Sequence, residues 1–183
     1  MIGKVGPRGS RVSGLIYYLF GPGRNEEHTD PHVVAGWRHP AELEPPLRGD
    51  YHRDFHHLTG LFQQPQEALG DRGFTKPVWH CSVRAAPGDR MLSDDEWAQL
   101  ACDVMHRTGL APYGQEDDAV RWIAVRHAPD HIHVVAILAR PARQDRGLPT
   151  DCASRPHTAG HHPGRRGHHQ TAAHPVQPGI PSA

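Results

Sequence analysis

Apolar and polar residues follow two different periods along the first 138 residues, and these periods predict a mixture of strands and helices. Alternating or β-branched apolar runs predict strands, whereas apolar residues spaced by three and four predict amphipathic helices. Clusters of Pro and Gly separate the runs and mark turns or loops. The expected order is a strand over 1–5, a helix over 11–20, a loop-rich region over 25–49, a helix over 50–64, a helical turn and a glycine-rich link over 65–76, a strand over 77–86, a helix over 94–107 and a strand pair over 120–138.

Two of the expected helices carry end signals. Ser93 and Glu96 form an S-x-x-E capping box, in which each side chain accepts a backbone N–H of the other residue. The helix over 11–20 has Ser10 or Ser13 as its N-cap candidate, and Gly21-Pro22 as its stop signal.

The strand over 77–86 is expected to place alternate side chains on opposite faces. The two sets are Trp79, Cys81 and Val83 on one face and His80, Ser82 and Arg84 on the other. His80 is a candidate for a further metal ligand or a DNA contact, although a single strand histidine is more often an ordinary surface or core residue.

The pattern of residues 120–138 predicts two strands joined by the turn Ala128-Pro129-Asp130. The strands are expected because both arms are rich in β-branched and aromatic residues, and the turn because Pro-Asp favours one. His131 and His133 point to one face, and with a three-residue connection His127 faces His131 at a Cβ separation of about 4.5–5.5 Å. In a chain with 17 histidines, a lone H-x-H pair has little weight. Three imidazoles in register, with Asp130 beside them, are candidate metal ligands.

The composition changes after Leu138. The remaining residues are rich in Pro, Gly, His and Arg, and they show neither apolar period. Such a segment buries too little apolar surface to offset its ordering entropy, so residues 141–183 are expected to be disordered. A histidine-rich metal tether and an out-of-frame run from a GC-rich gene are alternative interpretations. The out-of-frame interpretation is favoured, because the tail begins where a small sheet still needs strands.

Charge, cysteines and hydropathy limit the class of protein. The formal net charge is zero, so no overall basicity indicates a nucleic-acid partner. The first 24 residues nevertheless contain four basic residues and no acidic one, and this segment is expected to contact any anionic partner; its basic residues are Lys4, Arg8, Arg11 and Arg24. Three cysteines without C-x-x-C spacing favour a reducing compartment and no disulfide framework. No membrane span or signal peptide is expected.

Tyr17 and Tyr18 lie in the last turn of the first helix. Successive residues are about 100° apart around a helix axis, so only one of the two can face a given site. Both are also consistent with ordinary amphipathic packing. The helical period alone does not choose between them.

Several of these motifs together resemble the relaxase/mobilisation nuclease family, in particular its actinobacterial-type members. The likeness covers about residues 1–140, and its specific parts are the helix ending Tyr-Leu-Phe-Gly-Pro-Gly-Arg and the three-histidine hairpin. The resemblance implies an α+β fold, with an antiparallel palm-like sheet and helices on one face. The gap between the first two histidines is shorter than in many members. Nothing matches beyond Leu138, so residues 1–140 are expected to form an incomplete nuclease domain.

The resemblance also implies an activity: site- and strand-specific nicking of DNA at a transfer origin, through a covalent phosphotyrosyl intermediate. In the family an aliphatic residue follows the nucleophilic tyrosine, which fits Tyr18 better than the alternative nucleophile Tyr17. His127, His131 and His133 match the metal triad. Asp130 matches a nearby carboxylate, either fixing a histidine tautomer or serving only as a turn residue.

A three-histidine site leaves coordination positions open for phosphate oxygens. The implied cofactor is a divalent ion, Mn, Mg, Zn or Ni, and imidazole ligands disfavour Mg. The implied partners are single-stranded DNA at a transfer origin and accessory mobilisation proteins, in the cytoplasm and without a membrane. Lys4, Arg8, Arg11 and Arg24 are the candidate phosphate contacts.

Two other classes of protein use similar parts. A rolling-circle replication initiator has comparable His and Tyr residues, but here the tyrosine precedes the histidine motif, which argues against that class. A non-catalytic relaxase remnant that binds metal or DNA without nicking is the stronger alternative, because of the composition after Leu138.

Overall fold

A computed structural model describes residues 1–22, 28–49, 52–115 and 118–141. These residues form a mixed α+β structure around one antiparallel sheet. Its elements, in chain order, are β1 (Ile2–Val5), α1 (Val12–Phe20), β2 (His32–Gly36), α2 (Pro40–Leu43), α3 (His56–Ala68), a 3₁₀ turn (Gly70–Arg72), β3 (Val78–Arg84), α4 (Asp94–Arg107), β4 (Trp122–Ala128) and β5 (His131–Ile137). The expected α+β class with an antiparallel sheet is confirmed.

The sheet has five strands in the order β1-β3-β5-β4-β2. Its central strand, β5, pairs with β3 on one side and with β4 on the other. Strands β1 and β2 form the two edges. The hairpin that carries the three histidines therefore lies in the middle of the sheet, where neighbouring strands fix its register.

A β-bulge shapes the hairpin near its turn. Arg126 pairs with Ile132, and Ala128 pairs with His131, so His127 is one extra residue in β4. The turn between the strands is therefore Pro129-Asp130, one residue shorter than the sequence predicts. A bulge of this kind redirects the neighbouring side chains, and it keeps His127 on the side of the sheet that carries His131.

Strand alternation defines two faces of the sheet. We call the side that carries His80, Arg84, His127, His131 and His133 the histidine face. The pairing of Arg84 with His131 and of Ser82 with His133 places the β3 residues beside the β5 histidines.

Helix α4 packs on the face opposite the histidine face. Arg126 precedes His127 in β4 and points away from it, and its guanidinium donates to Asp94 Oδ1 at 2.5 Å. His32 Nε2 of β2 lies 3.3 Å from Asp94 Oδ2. Both contacts fix the first turn of α4 against this face.

Helices α1 and α3 cover the histidine face. Tyr18 of α1 contacts His28, whose ring contacts His127. Tyr17 and Phe20 of α1 pack on Phe55, at the start of α3, with ring centroids 4.6 and 5.6 Å apart. Helices therefore lie on both faces of the sheet, with α1 and α3 on one and α4 on the other. The reason is that β4 and β5 carry apolar residues on both faces, and both must be covered.

The loop expected over 25–49 is wrong in part, because this region contains β2 and α2. Strand β2 is short, and a bulge between Val33 and Ala35 interrupts its alternation. Gly36 lies so close to β4 that a Cβ atom there would sit 3.1 Å from the carbonyl oxygen of Trp122. A short run without regular alternation gives little period to detect.

Two boundaries of the expected helices also need correction. Helix α3 begins at His56 and not near residue 50, because Arg53 is held by an ion pair with Glu44 and by Pro31 O at 2.9 Å. Neither Ser10 nor Ser13 caps α1, whose N-cap is Arg11 without a side-chain hydrogen bond. By contrast, the Ser93–Glu96 capping box of α4 is confirmed.

Two further sequence predictions concern the cysteines and the C-terminal segment. Cys81 is a buried free thiol, whereas Cys102 is disulfide-bonded. The sequence predicts no disulfide framework, because an odd number of cysteines cannot all pair; this prediction does not cover a single disulfide such as that of Cys102. The expected disorder over 141–183 falls, from residue 142 onwards, outside the described residues. Within the described part of the chain, no helix is long and apolar enough to cross a membrane.

The capping box gives a first testable prediction. Ser93 Oγ accepts the Glu96 backbone N–H at 3.3 Å, and Glu96 Oε2 accepts the Ser93 N–H at 2.9 Å. We expect Ser93→Ala to lower the free energy of unfolding by about 1 kcal/mol, since the cap hydrogen bond is lost. Urea denaturation followed by circular dichroism measures the change.

Ser10→Ala and Ser13→Ala are the matched controls. Neither serine caps α1, so both variants should stay within about 0.5 kcal/mol of the parent. Equal losses in all three variants would contradict the assigned caps.

Candidate metal centre

Three histidines of the β4–β5 hairpin form a compact group of possible metal ligands. One nitrogen from each of His127, His131 and His133 can be chosen so that all three lie within 4.8 Å of one another. The ring centroid of His127 lies 4.5 Å from the ring centroid of His131 and 4.5 Å from that of His133. His127 and His131 are buried, and His133 is half-buried. These three close imidazoles could hold a metal ion.

The tautomer of His131 is set by the turn residue before it. His131 Nδ1 lies 2.7 Å from Asp130 Oδ1 and 3.2 Å from Arg84 Nη2. The hydrogen bond to His131, together with the charge of Arg84, lowers the pKa of Asp130, so the carboxylate is the acceptor. His131 therefore donates from Nδ1 to Asp130 and keeps its Nε2 lone pair for a metal ion.

His133 is hydrogen-bonded to His80 across the sheet. His80 Nε2 and His133 Nδ1 are 2.6 Å apart, and the two rings are stacked with centroids separated by 4.9 Å. Burial, with a smaller contribution from the neighbouring histidines, lowers the pKa of His133 to about 2. Burial also lowers the pKa of His80. Both rings are therefore neutral near pH 7, and a neutral imidazole is the form that binds metals.

A fourth imidazole, His28, lies against the group. Its ring centroid is 3.8 Å from that of His127, at an interplanar angle of 85°. His28 Nδ1 lies 2.7 Å from the carbonyl oxygen of Gly21. The neighbouring Thr29 N–H donates to His127 O at 2.8 Å, which attaches this segment to β4.

The two tyrosines of α1 face different surroundings. Tyr17 packs edge-on against Phe55 with ring centroids 4.6 Å apart. Tyr18 makes a T-shaped contact with His28 at 5.2 Å, and His28 in turn contacts His127. Tyr18 is 43% exposed, so a large ligand can reach it. The structure therefore places Tyr18, and not Tyr17, on the side of the histidines.

The candidate DNA-contacting residues are not gathered at one place. Lys4 is exposed on the histidine face, in the cross-strand row that runs through Ser82 to His133. Arg8 lies next to Gly9, which pairs with Val78 at the end of β3 remote from Arg84. Arg11 is at the N-cap of α1, about 10 Å along the helix axis from Tyr18. Arg24 lies outside the described residues.

A cleft of about 440 Å³ opens beside the turn of the hairpin. Its wall includes Arg84 and Asp130, the two residues that contact His131 Nδ1. Apolar and turn residues complete the wall, among them Pro87, Met91 and Pro129. The cleft therefore adjoins the possible metal ligands on the β3 side.

Comparisons of the chain with protein-family models, with curated proteins and with solved structures find no match. The function is therefore argued from the geometry of the site.

Reasoning from the sequence missed His28 and the pairing of Arg84 with His131. His28 lies in a region expected to be a loop, where no period relates it to the hairpin. Arg84 and His80 were placed on the correct face of β3 by alternation, but only the register against β5 shows which histidine each one contacts.

The compact group predicts metal binding through the hairpin. We expect one divalent ion per chain, with Zn, Ni or Mn preferred over Mg, because imidazole nitrogen is a poor ligand for Mg. His131→Ala combined with His133→Ala removes two of the three ligands and should abolish this binding in isothermal titration calorimetry.

His56→Ala combined with His57→Ala is the matched control, since both histidines are exposed on α3. This control removes the same number of imidazoles and should keep the affinity for the ion. Equal affinities in the two double variants would place the ion elsewhere in the chain.

The buried histidine pair also predicts a pH dependence of the metal-free protein. His133 has a pKa of about 2 in the folded chain, against about 6.5 when unfolded. Below pH 6.5 the unfolded chain binds a proton that the folded chain does not. The free energy of unfolding should therefore fall as the pH is lowered from 6.5 towards 2, with no contribution from His133 above that window.

Urea denaturation at a series of pH values, with a chelator present, measures this dependence. His133→Asn should flatten the curve below pH 6.5, whereas His57→Asn controls for the loss of one exposed imidazole. An unchanged slope in His133→Asn would show that the folded chain protonates this residue readily.

Proposed function

We propose that the protein is a metal-dependent nuclease that nicks one DNA strand and becomes covalently attached to it through Tyr18. The observation that supports this proposal best is the order of three groups in space. Tyr18 contacts His28, and His28 contacts His127 of the three-histidine group. An accessible tyrosine therefore lies one imidazole away from a possible metal centre, and the proposed attack needs its oxygen to reach a phosphate bound there.

The proposed reaction is a transesterification. The Tyr18 oxygen forms a bond to the phosphorus of one DNA phosphodiester, and one of the two ester P–O bonds to deoxyribose breaks. The proton of the tyrosine hydroxyl leaves to solvent or a base, and the released deoxyribose oxygen takes up a proton. No oxidant or reductant is needed. The phosphotyrosyl bond preserves the ester, so the reverse reaction can rejoin the strand.

His127, His131 and His133 would hold the divalent ion. A bound ion would neutralise and polarise the non-bridging oxygens of the scissile phosphate. Asp130 and His80 position the ligands, because each accepts or shares a proton at the Nδ1 atom of a hairpin histidine. Donation of the Nδ1 proton to Asp130 would leave the Nε2 lone pair of His131 available to the ion.

The electrostatics of the histidine face suit an anionic strand. Arg84 of β3 lies on this face beside His131, and Lys4 of the edge strand β1 lies on it one strand further away. Arg84 Nε lies 3.4 Å from Asp130 Oδ2, and the Arg84 side chain is mostly exposed. Both side chains can contact phosphates of a strand that crosses the face. The adjoining cleft offers apolar wall residues for unstacked bases.

The family resemblance adds the biological setting to this proposal. The nicking reaction would take place at a transfer origin during conjugative mobilisation, on single-stranded DNA and with accessory mobilisation proteins. The strand and sequence specificity would come from contacts made around the scissile phosphate.

Covalent attachment to DNA is the direct test. The full chain is incubated with Mn²⁺ and end-labelled single-stranded oligonucleotides that have a randomised centre, and adducts are separated on a denaturing gel. The parent protein should give a slowly migrating, label-carrying band. Tyr18→Phe should abolish the band, because it removes only the attacking oxygen.

Tyr17→Phe is the matched control, since it makes the same change on the neighbouring residue and should keep the adduct. Loss of the adduct in Tyr17→Phe alone would assign the nucleophile to Tyr17. No adduct from a folded parent that binds the metal ion would contradict the nuclease and support a non-catalytic metal-binding protein.

A further inference from the structure

We propose that His28 is a fourth imidazole ligand of the metal centre, binding through Nε2. The coordination is argued from the contacts of His28 itself. The catalytic consequence drawn below rests on the proposed function.

The first observation is the tautomer of His28. Its Nδ1 is 2.7 Å from the carbonyl oxygen of Gly21, which can only accept a hydrogen bond. His28 therefore carries its proton on Nδ1, and Nε2 has a free lone pair. Metal-ligating histidines characteristically donate their second nitrogen to a backbone carbonyl or carboxylate in this way. His131 shows the same pattern with Asp130.

The second observation is the burial of Nε2. His28 is only 9% exposed. Its Nε2 is buried, and it makes no hydrogen bond to any residue that the structure describes. A buried acceptor without a donor is unfavourable, because it has lost its hydrogen bonds to water. A cation at this atom would remove that penalty, whereas simple packing of the ring against Tyr18 leaves it in place.

The third observation is the position of the ring. Its centroid lies 3.8 Å from that of His127. His28 Nε2 is not part of the set of nitrogens within 4.8 Å of one another. Coordination therefore requires the His28 ring to approach the other three when the ion binds. The Thr29–His127 backbone hydrogen bond keeps the segment close enough for a small side-chain movement.

Four imidazoles change which ions can be active. A zinc ion in a four-coordinate protein site would have every position filled by histidine and none open for a phosphate oxygen. A six-coordinate ion, such as Mn²⁺ or Ni²⁺, would keep two positions for the substrate. We therefore expect Zn²⁺ to bind to the protein and to inhibit Mn²⁺-dependent nicking.

Metal affinity is measured on the full chain with Mn²⁺ alone, by calorimetry or from the electron paramagnetic resonance signal of free Mn²⁺. His28→Ala should weaken binding by at least about 10–100-fold, the range found when a group that only orients a metal ligand is lost. His32→Gln is the matched control: it removes a histidine four residues away, on the opposite face, and should bind as the parent does. Circular dichroism checks that each variant is folded.

A second measurement uses the parent protein and does not depend on the folding of a variant. With one equivalent of Zn²⁺, long-range ¹H–¹⁵N spectra of the histidine rings report which nitrogens bind the ion. The His28 Nε2 resonance should shift together with those of His127, His131 and His133.

The possible outcomes separate this proposal from the proposed function. Parent-like Mn²⁺ affinity in His28→Ala, or an unshifted His28 Nε2, would overturn the fourth ligand and leave the three-histidine centre intact. Weakened binding in His28→Ala, together with the absence of any DNA adduct from the parent protein, would establish the ligand and contradict the nuclease.

Discussion

The candidate metal centre depends on one extra residue in β4. The hairpin closes between Ala128 and His131, and without a bulge this closure would pair His127 with Ile132. A one-residue change of register moves a side chain to the opposite face of the sheet, so His127 would then point towards α4. The bulge restores the pairing of Arg126 with Ile132 and keeps His127 on the histidine face. The position of His127, the third candidate ligand, is therefore a consequence of local backbone geometry.

The position of the hairpin in the sheet determines the chemistry of its imidazoles. Because β5 is the central strand, β3 can place His80 and Arg84 beside His133 and His131. Burial keeps the pair of His80 and His133 neutral, and Asp130 keeps the His131 proton on Nδ1. The same packing that stabilises the sheet thus prepares unprotonated nitrogens for a metal ion. It also makes the metal-free protein sensitive to acid, since the unfolded chain gains protons that the folded chain excludes.

The parts of the fold with strong local signals could be predicted from the sequence. Ser93 and Glu96 predict the start of helix α4. The β-branched arms and the Pro129-Asp130 turn predict the hairpin. Strand β2 could not be predicted, because it is short, bulged and held in place by β4 and not by its own period. His131 and His133 follow from strand alternation, whereas His127 shares their face through a bulge that the sequence does not predict. His28 joins them only through tertiary contacts with Gly21, Tyr18 and β4, which no local pattern in the sequence encodes.

The position of a bound ion tests the central claim most directly. Crystals of the chain grown with one equivalent of Zn²⁺ would be measured on both sides of the zinc absorption edge, and the ion located by anomalous scattering. The account predicts one strong peak at about 2.0–2.1 Å from nitrogens of His127, His131 and His133, on the side of the sheet covered by α1. A peak without these three histidines as ligands, or hairpin histidines that point to different faces around an ordered β4, would contradict it.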